Sequence, residues 1–228
     1  MTLSVLVTGA SRGLGAAVAE AFGEQGADVT LCARSEPDLA ATAEAVRAAG
    51  GTATTAAVDV RDEAAVFEAV AEAAGDPLDV VVAAAGINPS PPGEMPLTGE
   101  WYDNFDDAMA TNVRGLFATL REAVAFMPAD GRILVPSGSV AREPTEGMGA
   151  YAVSKAGAEG VARGFAADAD QAVGIVYPGV VATDLTGGMG REPADVAGLF
   201  VWAATDCPAS ELDGEVVDLS DWKRARRG

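Results

Sequence analysis

The sequence predicts an α/β fold: a doubly wound parallel sheet of about seven strands, with helices on both faces, in a single domain over residues 1–228. Three observations predict it. Short apolar runs alternate with helical stretches along the whole chain, the order that builds a parallel sheet. The run at residues 80–84 is apolar at every position, as a strand covered on both faces must be. A glycine-rich turn, Thr8-Gly-Ala-Ser-Arg-Gly-Leu-Gly15, joins the first strand directly to the first helix. No internal repeat, linker or second domain breaks this order.

Residues 3–7 make the first strand, and the glycine turn opens a helix that runs to about residue 24. Residues 28–33 are the second strand, and Glu36, beside Pro37, opens the next helix, over 37–49. The third strand covers 52–58 and is closed by Asp59. A helix over 62–74 follows, with Asp62 as its N-cap. The fourth strand ends at Ala85-Gly86, and residues 87–99, rich in Pro and Gly, are a loop. One long helix is expected over 104–126, with Asn112 in its middle. Asparagine is a poor helix former and needs a reason there, the plain one being to satisfy nearby backbone. Residues 132–136 are the fifth strand, followed by Ser137-Gly-Ser-Val-Ala141 and a helix over 149–169. The sixth strand covers 174–177, ahead of Pro178-Gly179, a short glycine-rich segment and a helix over 193–204. The last strand spans 215–219, and the basic tail from Trp222 is expected to be solvated or paired with the acidic surface.

Composition removes several function classes. The net charge is −19, which repels nucleic acid and anionic membranes. No unbroken run of about 18 apolar residues offers a membrane span. The N-terminus enters a strand at once, so no signal peptide is expected. Cys32 and Cys207 lie far apart and read as buried thiols of a reducing, cytoplasmic setting. The chain has no histidine, so the commonest general base and metal ligand are missing, and no metal is expected. Only Lys155 and Lys223 stand against thirteen arginines, and this acidic, lysine-poor surface suits a halophilic habitat, the alternative being simply an acidic protein from a GC-rich genome.

The glycine turn has the spacing G-x-x-x-G-x-G, at Gly9, Gly13 and Gly15. Between a strand and a helix start, it lets backbone N–H groups face a pyrophosphate. A dinucleotide site that prefers NAD places an acid at the end of the second strand. Here that end reads Ala33-Arg34, and Arg12 lies within the turn. Two guanidiniums can clamp a 2′-phosphate, so NADP(H) is expected over NAD(H), the alternative being two solvated arginines. Tyr151 and Lys155 are four apart in a helix and share one face. A phenol titrates near ~10, and an adjacent ammonium is expected to pull that down, making an acid/base for carbonyl and alcohol chemistry. Alone, such a pair also occurs on exposed helices.

Together these motifs closely resemble the short-chain dehydrogenase/reductase family, over nearly the whole chain. The resemblance implies a Rossmann-type fold and a coenzyme site at Gly9, Ser11, Arg12, Gly13, Leu14, Gly15, Arg34, Asp59, Val60, Ala85 and Gly86. It continues through Tyr151, Lys155, Pro178, Gly179, Val181 and Thr183. It implies a catalytic set of Asn112, a serine after the fifth strand, Tyr151 and Lys155. Asn112 would position a water behind Lys155, and the serine would hold the substrate oxygen. The family's serine position is Gly138 here, flanked by Ser137 and Ser139; Ser139 is favoured because loops at strand ends carry catalytic groups. Ala83-Ala-Ala-Gly86 stands where the family has Asn-Asn-Ala-Gly, Ser220-Asp221 where it has Gly-Gly. The short stretch between Thr183 and Pro193 implies a small lid and an open pocket. The function implied is NADP-dependent reduction of a ketone or aldehyde, or the reverse alcohol oxidation, by a homotetramer or dimer. Alternatives are reduction of 3-oxoacyl thioesters, disfavoured by charge, and a coenzyme-binding sensor or assembly partner that has lost catalysis.

Overall fold

Seven strands form one wholly parallel sheet in the computed structural model, which describes residues 2–73 and 77–227. They are β1 (Ser4–Thr8), β2 (Asp28–Ala33), β3 (Thr52–Ala57), β4 (Val80–Ala83), β5 (Arg132–Pro136), β6 (Ala172–Tyr177) and β7 (Val216–Asp218). Their spatial order is β3-β2-β1-β4-β5-β6-β7. β1 pairs with both β2 and β4, so the winding reverses there and a crevice opens at the strand carboxyl ends.

The helices are α1 (Gly13–Gly23), α2 (Ala40–Ala49), α3 (Glu63–Ala73), α4 (Tyr102–Met109), α5 (Leu116–Ala123), α6 (Gly149–Asp168), α7 (Pro193–Thr205), α8 (Ala209–Leu212) and α9 (Leu219–Ala225). Successive strand residues point to opposite faces. Val5, Val7, Val80 and Val82 therefore join a core with Val18 and Phe22 of α1 and Phe200 of α7. Leu6, Val81, Ile133 and Val135 join a second core with Val66 of α3, Leu120 of α5 and Ala158 of α6. The continuous apolar strands are the consequence of these two buried faces.

Asp62 caps α3 as expected, its Oδ1 accepting the N–H groups of Ala64 at 3.1 Å and Ala65 at 3.2 Å. The expected end of that helix, Ala74, lies outside the described residues. One expectation is corrected. The long helix over 104–126 is not continuous: a π-helical segment, Ala110–Gly115, separates α4 from α5. Such widened turns cluster at functional sites, and this one contains Asn112. The chain is pressed close there, since a Cβ on Gly115 would lie 2.6 Å from Val60 Cγ2. The basic tail is paired in part with acidic side chains, one of the two outcomes expected for it. Asp218 caps α9 by accepting from Ser220 and Asp221, Arg224 pairs with Asp221 at 2.7 Å, and the Arg226 guanidinium lies 5.3 Å from the Trp222 ring centroid. No helix of the described residues is long and apolar enough to cross a membrane.

Candidate active site

A crevice of about 420 Å³ runs along the carboxyl ends of β1, β2, β4, β5 and β6. At its floor lies the glycine turn. Gly9 has φ +70° and meets the chain after β4: a Cβ there would lie 2.7 Å from Ala85 Cα. A Cβ on Gly15 would lie 2.3 Å from the Gly9 carbonyl oxygen. The Thr8 hydroxyl accepts the Ala85 N–H at 3.2 Å and ties the two strand ends together. No side chain caps the start of α1, which leaves its first N–H groups directed at the crevice. A concave backbone floor with free helix N–H groups fits a pyrophosphate.

The predicted coenzyme residues Gly9, Ser11, Arg12, Gly13, Leu14, Gly15, Arg34, Asp59, Val60, Ala85, Gly86, Pro178, Gly179, Val181 and Thr183 all line this crevice. Asp59 is held by Arg61, whose Nε donates to it at 3.0 and 3.1 Å. That hydrogen bond keeps the Asp59 carboxyl below the usual range, against the opposing effect of burial. Sequence reasoning passed over Arg61; its one signal was its place two residues after Asp59. It also passed over Asp38 and Asp184, both at the crevice. Arg12 pairs with Asp184 at 2.8 Å, linking the glycine turn to the segment after Thr183. Both side chains are exposed, so the pair is weak and screened by salt.

Tyr151 and Lys155 line the same crevice from the first turns of α6. Lys155 Nζ donates to the Pro136 carbonyl at 2.6 Å, at the end of β5. The expectation that Lys155 acidifies Tyr151 is not met in this state. Burial pushes the phenol up to about 12, and burial pulls the Lys155 ammonium down to about 8. The physical reason is that both groups lose water while the amine is turned to a carbonyl. The Asn112 side chain is buried and occupied. Its Oδ1 accepts the Ile87 N–H at 2.8 Å, and its Nδ2 donates to the Ile87 carbonyl at 2.8 Å and to Ser154 Oγ at 2.9 Å. It clamps the loop after β4 to α6, so the plain reading of a polar group satisfying backbone describes this side chain.

The structure does not bring Ser139 to the crevice. Ser139 is exposed, at the start of a 3-10 turn, Ser139–Ala141, whereas Ser137 is buried and lines the crevice. The strand continues one residue further in effect, because the Ser137 N–H donates to the Val176 carbonyl at 2.9 Å. Its hydroxyl donates to Glu159 at 3.0 Å. The small lid is present but tied at its base. The Thr186 hydroxyl bonds the carbonyls of Val181 at 2.6 Å and Met189 at 3.0 Å, and Asn88 Nδ2 donates to the Leu185 carbonyl at 3.3 Å.

Comparison with known proteins agrees with this geometry. A family model described as short chain dehydrogenase matches residues 4–194. The chain is 34% identical over 225 residues to the cyclic-di-GMP-binding biofilm dispersal mediator protein of Escherichia coli (strain K12), covering 88% of this chain and 89% of that one. It is 29% identical over 198 residues to carbonyl reductase family member 4 of Danio rerio, covering 85% and 82%. Among solved structures, a short chain dehydrogenase from Burkholderia cenocepacia J2315 in complex with NADP superposes with a TM-score of 0.83 at 29% identity, over 96% of each chain.

Proposed function

The chain belongs to the short-chain dehydrogenase/reductase family of oxidoreductases, and from that premise we propose that it reduces a ketone or aldehyde with NADPH, reversibly. The observation that carries the reading is Tyr151 and Lys155 lining the crevice that holds the glycine cradle. The nicotinamide coenzyme supplies the hydride when bound. Gly9, Gly13 and Gly15 would admit its pyrophosphate, Arg12 and Arg34 a 2′-phosphate, and Lys155 the nicotinamide ribose. Tyr151 gives its proton to the alkoxide that forms at the substrate oxygen. A phenol held at about 12 is protonated at neutral pH, as a proton donor must be. The relatives named for carbonyl reduction and for NADP support the same reading.

Coenzyme choice is tested by kcat/KM. NADPH is expected to exceed NADH, and Arg34→Ala to lower the NADPH value about 10- to 100-fold while leaving NADH nearly unchanged, the loss of one charge-assisted bond. A wild-type preference for NADH refutes the NADP assignment.

The pH dependence follows from the two shifts. Reduction needs a protonated Tyr151 and a charged Lys155. Lys155 loses its proton near 8, well before Tyr151, so the reduction rate is expected to hold from about pH 6 and fall above about 8. Alcohol oxidation needs the phenolate and is expected to rise toward alkaline pH. A reduction rate that climbs between pH 6 and 9 contradicts these roles.

A second reading, a nucleotide-binding sensor without turnover, is favoured by one observation: Ser139 lies outside the crevice and the Ser137 hydroxyl is committed to Glu159. The Escherichia coli relative named for cyclic-di-GMP binding is in keeping with it. Mixing protein, NADPH and a panel of activated ketones while following coenzyme absorbance separates the two, because a sensor leaves the absorbance constant.

A further inference from the structure

The first turn of α6 carries Tyr151, and no neighbour in sequence caps it. Met148 stands at the N-cap position, and its side chain accepts no hydrogen bond. Ala150 is fully buried, so its N–H has no water to turn to, and an orphaned buried N–H is costly. Its partner comes from 50 residues away: Glu100 Oε2 accepts it at 2.7 Å. Glu100 lies where the loop after β4 leads into α4. Its Oε1 accepts the Trp101 N–H at 3.2 Å and, at 3.4 Å each, Asn104 Nδ2 and Ser90 Oγ. Every partner is a donor, which suits a carboxylate, and a negative charge is favoured at a helix start. Gly149 is part of the same fit, since a Cβ there would collide with Glu100 Oε2.

Tyr151 and Lys155 are held in different ways. Lys155 is fixed at its tip by the Pro136 carbonyl. The Tyr151 hydroxyl makes no hydrogen bond among the described residues, so the phenol is placed from its backbone end, the first turn of α6. The loop that supplies Glu100 reaches the crevice at its other end. Ile87 lines the crevice, and Asn88 Nδ2 donates to the Leu185 carbonyl of the lid. Between these ends, the Gly93 and Met95 N–H groups both donate to the Gly147 carbonyl at 3.1 Å. The loop is thus laced to the approach to α6 and closed by Glu100 at the helix start.

We infer that Glu100 is a positioning residue of the active site: by accepting the Ala150 N–H across the fold, it fixes the first turn of α6 and with it the place of the Tyr151 hydroxyl at the crevice. Use of that hydroxyl as a proton donor rests on the reductase reading above. A misplacement of about 1 Å can cost a reaction about 10²-fold, so a cap lost one residue before Tyr151 reaches kcat.

Glu100→Ala is expected to lower kcat for the activated ketones about 10- to 100-fold, with NADPH affinity within about twofold, because the glycine cradle is built elsewhere. Glu100→Gln keeps an oxygen able to accept the Ala150 N–H and is expected to recover most of that loss. Glu100→Asp, one methylene shorter, is expected to behave as Glu100→Ala does. Amide hydrogen exchange read by mass spectrometry is the second readout. The peptide over the first turn of α6 is expected to exchange about tenfold faster in Glu100→Ala and Glu100→Asp, with the peptide over 160–168 unchanged. A side chain that served stability alone would shift the melting temperature and leave kcat in place at temperatures well below it. A Glu100→Ala kcat within about threefold of wild type therefore overturns the inference, and so does an equal loss in all three variants. If Glu100→Ala fails to fold, the other two decide: a higher kcat for Glu100→Gln than for Glu100→Asp supports the inference, and an equal or lower one overturns it. Wild-type turnover, run alongside, keeps the two readings apart. An inactive wild type sinks the reductase reading, and exchange at the first turn then decides the inference, faster supporting it and unchanged overturning it. An active wild type with an unmoved Glu100→Ala kcat sinks the Glu100 inference alone.

Discussion

Tyr151→Phe is expected to lower kcat for carbonyl reduction by about 10²–10⁴, the range set by losing a general acid, while leaving NADPH affinity within about twofold. The substitution removes one hydroxyl and keeps the ring. Tyr151 lines the crevice, and its hydroxyl makes no hydrogen bond among the described residues, so no partner is stranded by its loss. The melting temperature should therefore match wild type, as for substitutions that create neither a cavity nor an unpaired polar group. Stopped-flow absorbance of NADPH with coenzyme fluorescence titration reads both quantities. Turnover within tenfold of wild type in this variant would remove Tyr151 from the mechanism.

The second large effect is expected at Gly9. In Gly9→Ala the new Cβ meets backbone, not a flexible side chain: Ala85 Cα at 2.7 Å, Ala85 N at 2.8 Å and the Ala84 carbonyl carbon at 2.9 Å. The residue also has φ +70°, a left-handed conformation that costs an L-residue about 1–2 kcal/mol. Overpacking adds about 1–3 kcal/mol, so a loss of about 2–5 kcal/mol is expected in a denaturant titration. Relieving the clash means parting the ends of β1 and β4, the floor on which a pyrophosphate would rest. NADPH affinity is expected to fall more than about 100-fold. Gly160→Ala is the control: that glycine is exposed on α6, a Cβ there meets nothing within 4 Å, and replacing it should stabilise the helix by about 0.5–1 kcal/mol. A Gly9→Ala protein that binds NADPH as wild type does would show that the cradle is not the coenzyme site.

Gly9, Asp62 and the apolar strands were legible because their reasons are local. A glycine before a helix, an acid at an N-cap and a run of valines each report a conformation set by neighbours a few residues away. The family resemblance extended this to Tyr151 and Lys155, whose four-residue spacing on one helix is also local. Asn112 was legible as an anomaly but not as a clamp, because its partners, Ile87 and Ser154, lie 25 and 42 residues away. Which serine lines the crevice was not legible for a related reason. Ser137 and Ser139 differ in sequence by their distance from Tyr151 alone, whereas the bond from the Ser137 N–H to Val176 on the neighbouring strand keeps Ser137 at the crevice and lets the chain turn outward at Gly138.

The acid/base pair shows the same division in its energetics. Spacing says that an amine and a phenol can meet; it does not say how much water each has lost. The fold removes that water, turns Lys155 toward the Pro136 carbonyl and sets Glu159 one turn away among two arginines. What the amino-acid order determined by itself is the alternation of strand and helix, the glycine turn between β1 and α1 and the one-face spacing of Tyr151 and Lys155, since each depends on short-range geometry. What the tertiary structure alone decided is the π-helical break, which of the two serines lines the crevice and how far the lysine is desolvated. Those depend on desolvation and on partners brought together from distant strands, and neither can be read from spacing along the chain.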